Sequence, residues 1–164
     1  MSDNENIISV DSAFMKMARI CSRKEYSPFD ISQKLFGMGF TNENIEGIIV
    51  KLRNENYINE DRFVRSFVND KLRFNQWGVK KIEMHLRYKK LPQNIIENVL
   101  SEYSNKELNS SLQSILETKW KHIKGESNYE KKGKLIKYAL GRGFKMNDII
   151  SCIDELNLKD INLD

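Results

Sequence analysis

Leu35–Ile45 reads LFGMGFTNENI, and 104 positions later Ala139–Ile149 reads ALGRGFKMNDI. Both run apolar-apolar-Gly-x-Gly-Phe and place an isoleucine five residues after the phenylalanine. Gly39 and Gly143 stand where a helix is due to stop, because glycine enters the left-handed region without a Cβ clash. Phe40 and Phe144 can fold back on the helix just ended, and the next helix begins within a few residues, with Ile45 or Ile149 as its first inward side chain. Gly37–Met38–Gly39 is not a phosphate loop, since no strand precedes it and no Lys-Ser/Thr pair follows. The passage encodes a tight helix–turn–helix corner.

A middle copy lies at Leu86–Ile96, LRYKKLPQNII, where Leu86, Leu91 and Ile96 keep the spacing of Leu35, Phe40 and Ile45. The three copies are offset by 51 and 53 positions, a period near 50 residues. Lys90 takes the place of the glycine, so the middle turn is either strained by about 1 kcal/mol or built differently.

Between the corners the apolar spacing is helical. Phe14, Met17, Ala18 and Cys21 recur at helical intervals. Pro28, capped by Ser27, opens a second helix through Ile31, Leu35 and Phe36. A third carries Ile45, Ile48, Ile49 and Leu52. Asn59 caps a fourth with Phe63, Val64, Phe67 and Leu72 inward. A fifth follows Gly78 with Ile82 and Leu86, and a sixth starts at Pro92 with Ile95, Ile96, Val99 and Leu100. The seventh is expected over Leu108–Ile123 with Leu112, Ile115, Leu116 and Trp120 inside. The eighth spans about Tyr129–Leu140, and the ninth holds Ile149, Ile150, Ile153 and Leu156. Nine helices and no convincing strand predict an all-α protein of three tandem three-helix repeats. The expected organisation is a flexible N-terminus over 1–10, repeats over 11–58, 59–104 and 105–158, and a C-terminal tail over 159–164.

Of the 164 residues, 40% are hydrophobic and 30% charged, enough to bury a core and too apolar for a disordered chain. No apolar run is long enough to span a membrane. The start MSDNENIISVDS lacks the basic and apolar regions of a signal peptide. With Cys21 and Cys152 as the only cysteines, the expected setting is reduced and cytoplasmic. The net charge of +4 conceals segregation: residues 62–90 and 119–145 each carry +7, while 1–61, 91–118 and 146–164 carry −3, −3 and −4. Any one block reads equally as a solvated helix face; two of this size point to an anionic partner.

The residues of the corners and the middle segment resemble the RecX family, regulators of the bacterial recombinase RecA. YINEDRFVRSFVNDK (57–71) is similar to that family's junction motif. WGVKKIEMHLRYKKL (77–91) resembles its glycine-basic-isoleucine-leucine segment, with Lys90 departing from the usual glycine. LIKYALGRGF (135–144) is similar to its Arg-Gly-Phe signature, and REYSPFDISQKL, written with Lys24 inserted after Arg23, to its first repeat. The resemblance covers about 13–157. It implies an elongated, curved array that binds in the groove of RecA–single-stranded DNA filaments and inhibits recombinase and coprotease activity. The expected role is thus non-enzymatic, in DNA repair and the SOS response, acting as a monomer with no cofactor. The expected partners are the RecA filament and single- or double-stranded DNA, with no membrane partner. The alternatives are a stand-alone helical DNA-binding module or an adaptor for acidic proteins.

For filament or DNA contact the densest basic surface is Arg62, Arg65, Lys71, Arg73, Lys80, Lys81, Arg87, Lys89 and Lys90. Arg62 reads equally as an intramolecular partner at a helix start. A second basic surface comprises Lys131, Lys132, Lys134, Lys137, Arg142 and Lys145. Trp77 either packs across a repeat junction, the favoured reading, or stacks on a base. No aromatic platform or recognition helix is legible. His85 and His122 have no neighbours at metal-ligand spacing, and no catalytic or metal site is expected.

Overall fold

A computed structural model describes residues 8–156. Residues 1–7 of the expected flexible N-terminus and the expected 159–164 tail lie outside the described residues. The chain is all helical and forms a repeat array. Among the described residues there are ten helices: α1 (Val10–Cys21), α2 (Pro28–Gly37), α3 (Asn42–Asn54), α4 (Glu60–Arg73), α5 (Val79–Tyr88), α6 (Gln93–Ser101), α7 (Asn105–Leu108), α8 (Leu112–Trp120), α9 (Asn128–Gly141) and α10 (Met146–Leu156).

The starts follow capping chemistry. Ser27 accepts the Asp30 amide while the Asp30 carboxylate accepts the Ser27 amide, with Pro28 at the first helical position. Thr41, Asn59 and Ser127 each accept the amide three residues on. The seventh helix departs from expectation. Asn109–Ser111 interrupts it, leaving the short, box-capped α7 and a separate α8 that ends at Trp120. At this break the Ser111 hydroxyl donates to the Leu72 carbonyl of α4 at 3.4 Å, a contact across units.

Burial falls into three clusters. Ile31, Leu35, Ile48 and Leu52 centre the first, Val64, Ile82, Leu86 and Ile96 the second, and Leu116, Leu135, Phe144 and Ile149 the third. Helices pack mainly within these groups: α1 and α2 on α3, α4 on α5 and α6, and α8, α9 and α10 on one another. Phe36 and Ile150, named with the apolar residues of the second and ninth expected helices, are 68% and 39% exposed. Each lies one residue, about 100° of helix, beyond a buried Leu35 or Ile149, and so turns out of the stripe.

All three corners have the same hydrogen bonds. The amides of Phe40, Leu91 and Phe144 each donate to the carbonyl five residues back, at 3.2 Å, on Leu35, Leu86 and Ala139. Those of Gly39, Lys90 and Gly143 donate three residues back. This is the Schellman pattern, and it needs a left-handed residue. Gly39 has φ +90°, Gly143 +97° and Lys90 +59°. The lysine corner is therefore built like the glycine corners and bears the strain. Leu91 and Phe144 are buried beneath it, and Phe40 is half-buried.

Each later corner reaches back onto the preceding unit. The third docks backbone to backbone on the start of α5: the Gly78 amide donates to Arg142 O at 2.8 Å and the Lys80 amide to Gly143 O at 3.0 Å. A Cβ on Gly78 would stand 2.3 Å from the Gly143 carbonyl carbon, and one on Gly143 2.4 Å from Lys81 Cβ. The middle corner meets the start of α2 through side chains instead. Lys89 Nζ lies 2.6 Å from Asp30 Oδ1, and the Tyr88 and Phe29 rings meet edge-on at 5.6 Å.

Glycine-to-alanine changes are thus expected to differ in sign. Gly47, in α3 with nothing near its absent Cβ, should gain about 0.5–1 kcal/mol as alanine. Gly78→Ala should lose about 1–3 kcal/mol by overpacking, and Lys90→Gly should gain about 1 kcal/mol by relieving the left-handed strain. Urea unfolding of the three variants checks all three signs.

Candidate nucleic-acid interface

Helix α4 sets Phe63, Phe67 and Lys71 four residues apart on one stripe. The Phe63 and Phe67 rings stack with centroids 5.8 Å apart, Trp77 meets Phe67 edge-on at 6.3 Å, and His85 of α5 lies 4.5 Å beyond. Lys71 Nζ sits 5.3 Å from the Phe67 ring and 4.7 Å from Trp77, and Lys81 Nζ 4.6 Å from Trp77. Trp77 is therefore half-buried between α4 and α5, with two ammonium groups on its ring.

The first unit supplies the opposite wall. Lys24 and Lys34 bring their ammonium groups 4.8 and 5.5 Å from the Tyr26 ring. Between the walls runs a groove of about 520 Å³, lined by Lys24, Glu25, Tyr26, Asp30, Gln33 and Lys34 on one side and Phe63, Ser66, Phe67, Asp70, Lys71 and Lys89 on the other. The sequence shows no aromatic platform because Tyr26, Phe63, Phe67 and Trp77 are scattered over two units; folding assembles them. Lys24 and Lys34 escaped the sequence reading because they sit in a block of net −3. Only the juxtaposition of α2 with α4 brings them to Lys71 and Lys89.

The predicted basic residues divide by their partners. Lys71, Lys81 and Lys89 gather at the groove and along the aromatic row. Arg62 binds Glu25 at 2.5 Å and donates to the carbonyls of Asn56 and Tyr57 at 3.0 and 3.3 Å. Arg65 pairs with Asp61 at 2.6 Å and forks onto the Glu102 carboxylate, which the guanidinium holds below its usual pKa. Arg87 contacts Glu83 and Gln93 at 3.2 and 3.1 Å. Lys90 lies 5.7 Å from the Phe29 ring and Arg73 5.8 Å from Phe74, while Lys80 is exposed.

On the second surface, Arg142 donates to the carbonyls of Asn75 and Gln76 and so anchors the second joint. Lys131 covers the Trp120 ring at 5.3 Å, and Lys134 reaches Lys124 O at 2.7 Å and Glu130 at 3.4 Å. Lys132 is half-buried, and Lys137 and Lys145 are exposed. The second surface has its own cavity of about 440 Å³, bordered by Gln76, Thr118, Lys119, His122, Tyr138 and Arg142 among others.

Ammonium groups set beside aromatic faces are a chemistry suited to anions and planar rings. The Cys21 thiol, pushed up to about 11 by burial and then by Glu25, stays protonated at neutral pH. Among the described residues no three His, Cys, Asp or Glu side chains come together as a metal site, and no helix is long and apolar enough to cross a membrane.

Residues 59–100 match the family model for the second three-helix domain of RecX, and residues 107–153 that for the third. The chain is 32% identical to the regulatory protein RecX of Prosthecochloris aestuarii, over 81% of this chain and 85% of that one. The chain belongs to the RecX family. Its RecX relatives include that of Haemophilus influenzae, 26% identical over 87% of this chain and 93% of that one. In fold it is similar to the crystal structure of a regulatory protein RecX (TM-score 0.81, 19% identity, 88% of this chain and 73% of that one). It is also similar to that of RecX from Lactobacillus salivarius (TM-score 0.73, 24% identity, 91% and 97%). The second RecX domain supplies Phe63, Phe67, Lys71, Lys81 and Lys89, while Lys24, Tyr26 and Lys34 lie outside both matched segments.

His85 offers a pH test of the aromatic row. Partial burial first, then Lys81, Lys71 and Lys89, hold its pKa below the usual 6.5. As pH falls from 6.5, the unfolded chain takes up a proton that the native imidazole refuses, so stability declines. Between about one unit above and one unit below that value, the urea midpoint should fall more in the wild type than in His85→Gln. Equal falls would exclude this placement of the ring.

Proposed function

We propose that this RecX-family protein binds RecA–single-stranded DNA filaments and inhibits their recombinase and coprotease activity, without catalysis of its own. The observation that carries the reading is the groove between the first two units, with Lys24, Lys34, Lys71 and Lys89 around Tyr26, Phe63 and Phe67. Ammonium groups beside aromatic faces suit a single strand, whose phosphates seek cations and whose bases stack on rings. Kinship with regulatory proteins supplies the regulatory role. A helical array seated on such a filament would block the path that a second DNA or a coprotease substrate must take. On this reading the chain acts in recombinational repair and the SOS response.

The test is RecA-dependent ATP hydrolysis and strand exchange on single-stranded DNA with increasing amounts of the protein. Inhibition is expected to rise with the amount of protein added. No effect at any ratio would remove the assignment. Lys34→Ala combined with Lys71→Ala should weaken both inhibition and oligonucleotide binding, and lower the salt slope of binding by about 1.4, about 0.7 per lost single-strand phosphate contact. Full DNA binding with no action on the recombinase would favour a stand-alone DNA-binding module. Binding of acidic proteins with no DNA affinity at low salt would favour an adaptor.

A further inference from the structure

The two joints of the array are held by different forces. The second rests on backbone hydrogen bonds from Gly78 and Lys80 to the third corner, with the Arg142 guanidinium on two neutral carbonyls. The backbone bonds join neutral groups, so salt hardly screens them and a phosphate has no charge to take from them. The first joint is held by side chains: three ion pairs, beside the Tyr88–Phe29 ring contact and the Arg62 bonds to the Asn56 and Tyr57 carbonyls. Lys89 pairs with Asp30 at 2.6 Å, Arg62 with Glu25 at 2.5 Å, and Arg53 of α3 with Glu60 of α4 at 2.9 Å. These side chains keep between 21% and 48% of their exposure, so water and ions reach them. Among the described residues no buried apolar cluster bridges either joint, so these polar contacts decide how firmly each is held. The link between the first two units includes Asn56 at φ +64°.

Lys89 and Asp30 both line the groove. The ammonium that ties the second unit to the first is thus one of those the groove presents to an anion. We propose that the first joint is a latch opened by phosphate. A phosphodiester in the groove takes Lys89 from Asp30 and repels Glu25, and the first unit then turns about residues 54–59 against a fixed body made of the other two. The array is held in one shape when empty and becomes adaptable at its N-terminal unit as it docks. This proposal rests on the reading of the groove as a single-strand site and adds to it how the site is regulated.

Double electron–electron resonance on the full chain tests it. In a Cys152→Ser background, with buried Cys21 retained, nitroxides at Glu46→Cys and Asn98→Cys span the first joint, and at Asn98→Cys and Ser151→Cys the second; all three sites are exposed. Raising salt from about 0.1 M to about 1 M shortens the Debye length from about 10 to about 3 Å. This should broaden the distance distribution across the first joint and leave the second unchanged. An oligo(dT) single strand at about 0.1 M salt should do the same. Asp30→Asn, which keeps an acceptor for the Ser27 amide, should show the broad distribution without DNA. It should also bind the oligonucleotide about twofold to fivefold more tightly, the change that a part-exposed ion pair of about 0.4–1 kcal/mol converts to. Glu102→Gln, which removes the same charge from the Arg65 pair, should do neither. Oligonucleotide binding with an unchanged first joint overturns the latch and leaves the proposed function standing. Loosening in salt without any oligonucleotide binding overturns the single-strand reading and the phosphate exchange with it.

Discussion

Everything in this array depends on a turn in which one residue adopts the left-handed conformation and two amides fold back on the helix just ended. The turn at Gly39, Lys90 and Gly143 satisfies carbonyls that the ending helix would leave bare. It sends the chain into the next helix at a fixed angle and tucks Leu91 or Phe144 into the core below. It also aims the residue before the left-handed position outward. In the second and third units that residue is basic, Lys89 or Arg142, and it reaches the preceding unit. One local motif thus ends a helix, seals a core and makes a joint.

The two joints use that geometry differently. A glycine at the third corner lets two backbones approach to hydrogen-bond distance, which a Cβ on either side would prevent. A lysine at the middle corner forbids such an approach, and charge pairs and ring edges replace it. The consequence is a groove at the first joint instead of a sealed seam. Its walls carry the lysines and rings that suit a polyanion with planar bases. The strained Lys90 and the side-chain joint beside it therefore meet at one corner, the one without glycine.

Much of the site was invisible along the chain. Helical periodicity placed Phe63 and Phe67 on a stripe and Lys71, Lys81 and Lys89 in a basic block, and these do converge. Counting charge by block concealed Lys24 and Lys34, because a block's net charge says nothing about which side chain faces a neighbouring unit. Arg62 and Arg65 carry the same charge as Lys71 but are claimed by Glu25 and Glu102, each 37 positions away in the chain. No pattern of local spacing announces partners at that distance.

Local physics decided what the sequence could determine alone: the all-helical class, the three corners, the caps at Ser27 and Asn59, and most of the inward stripe. Each of these depends on residues within a turn or two of one another. Tertiary structure decided the break at Asn109–Ser111 between α7 and α8, and which cations stay free and which are paired. It also decided that Gly78 and Gly143 must both lack side chains, because their contact joins residues 65 apart. A glycine's conformational freedom can be read from its own neighbours, but the space it must leave is set by whatever folds against it.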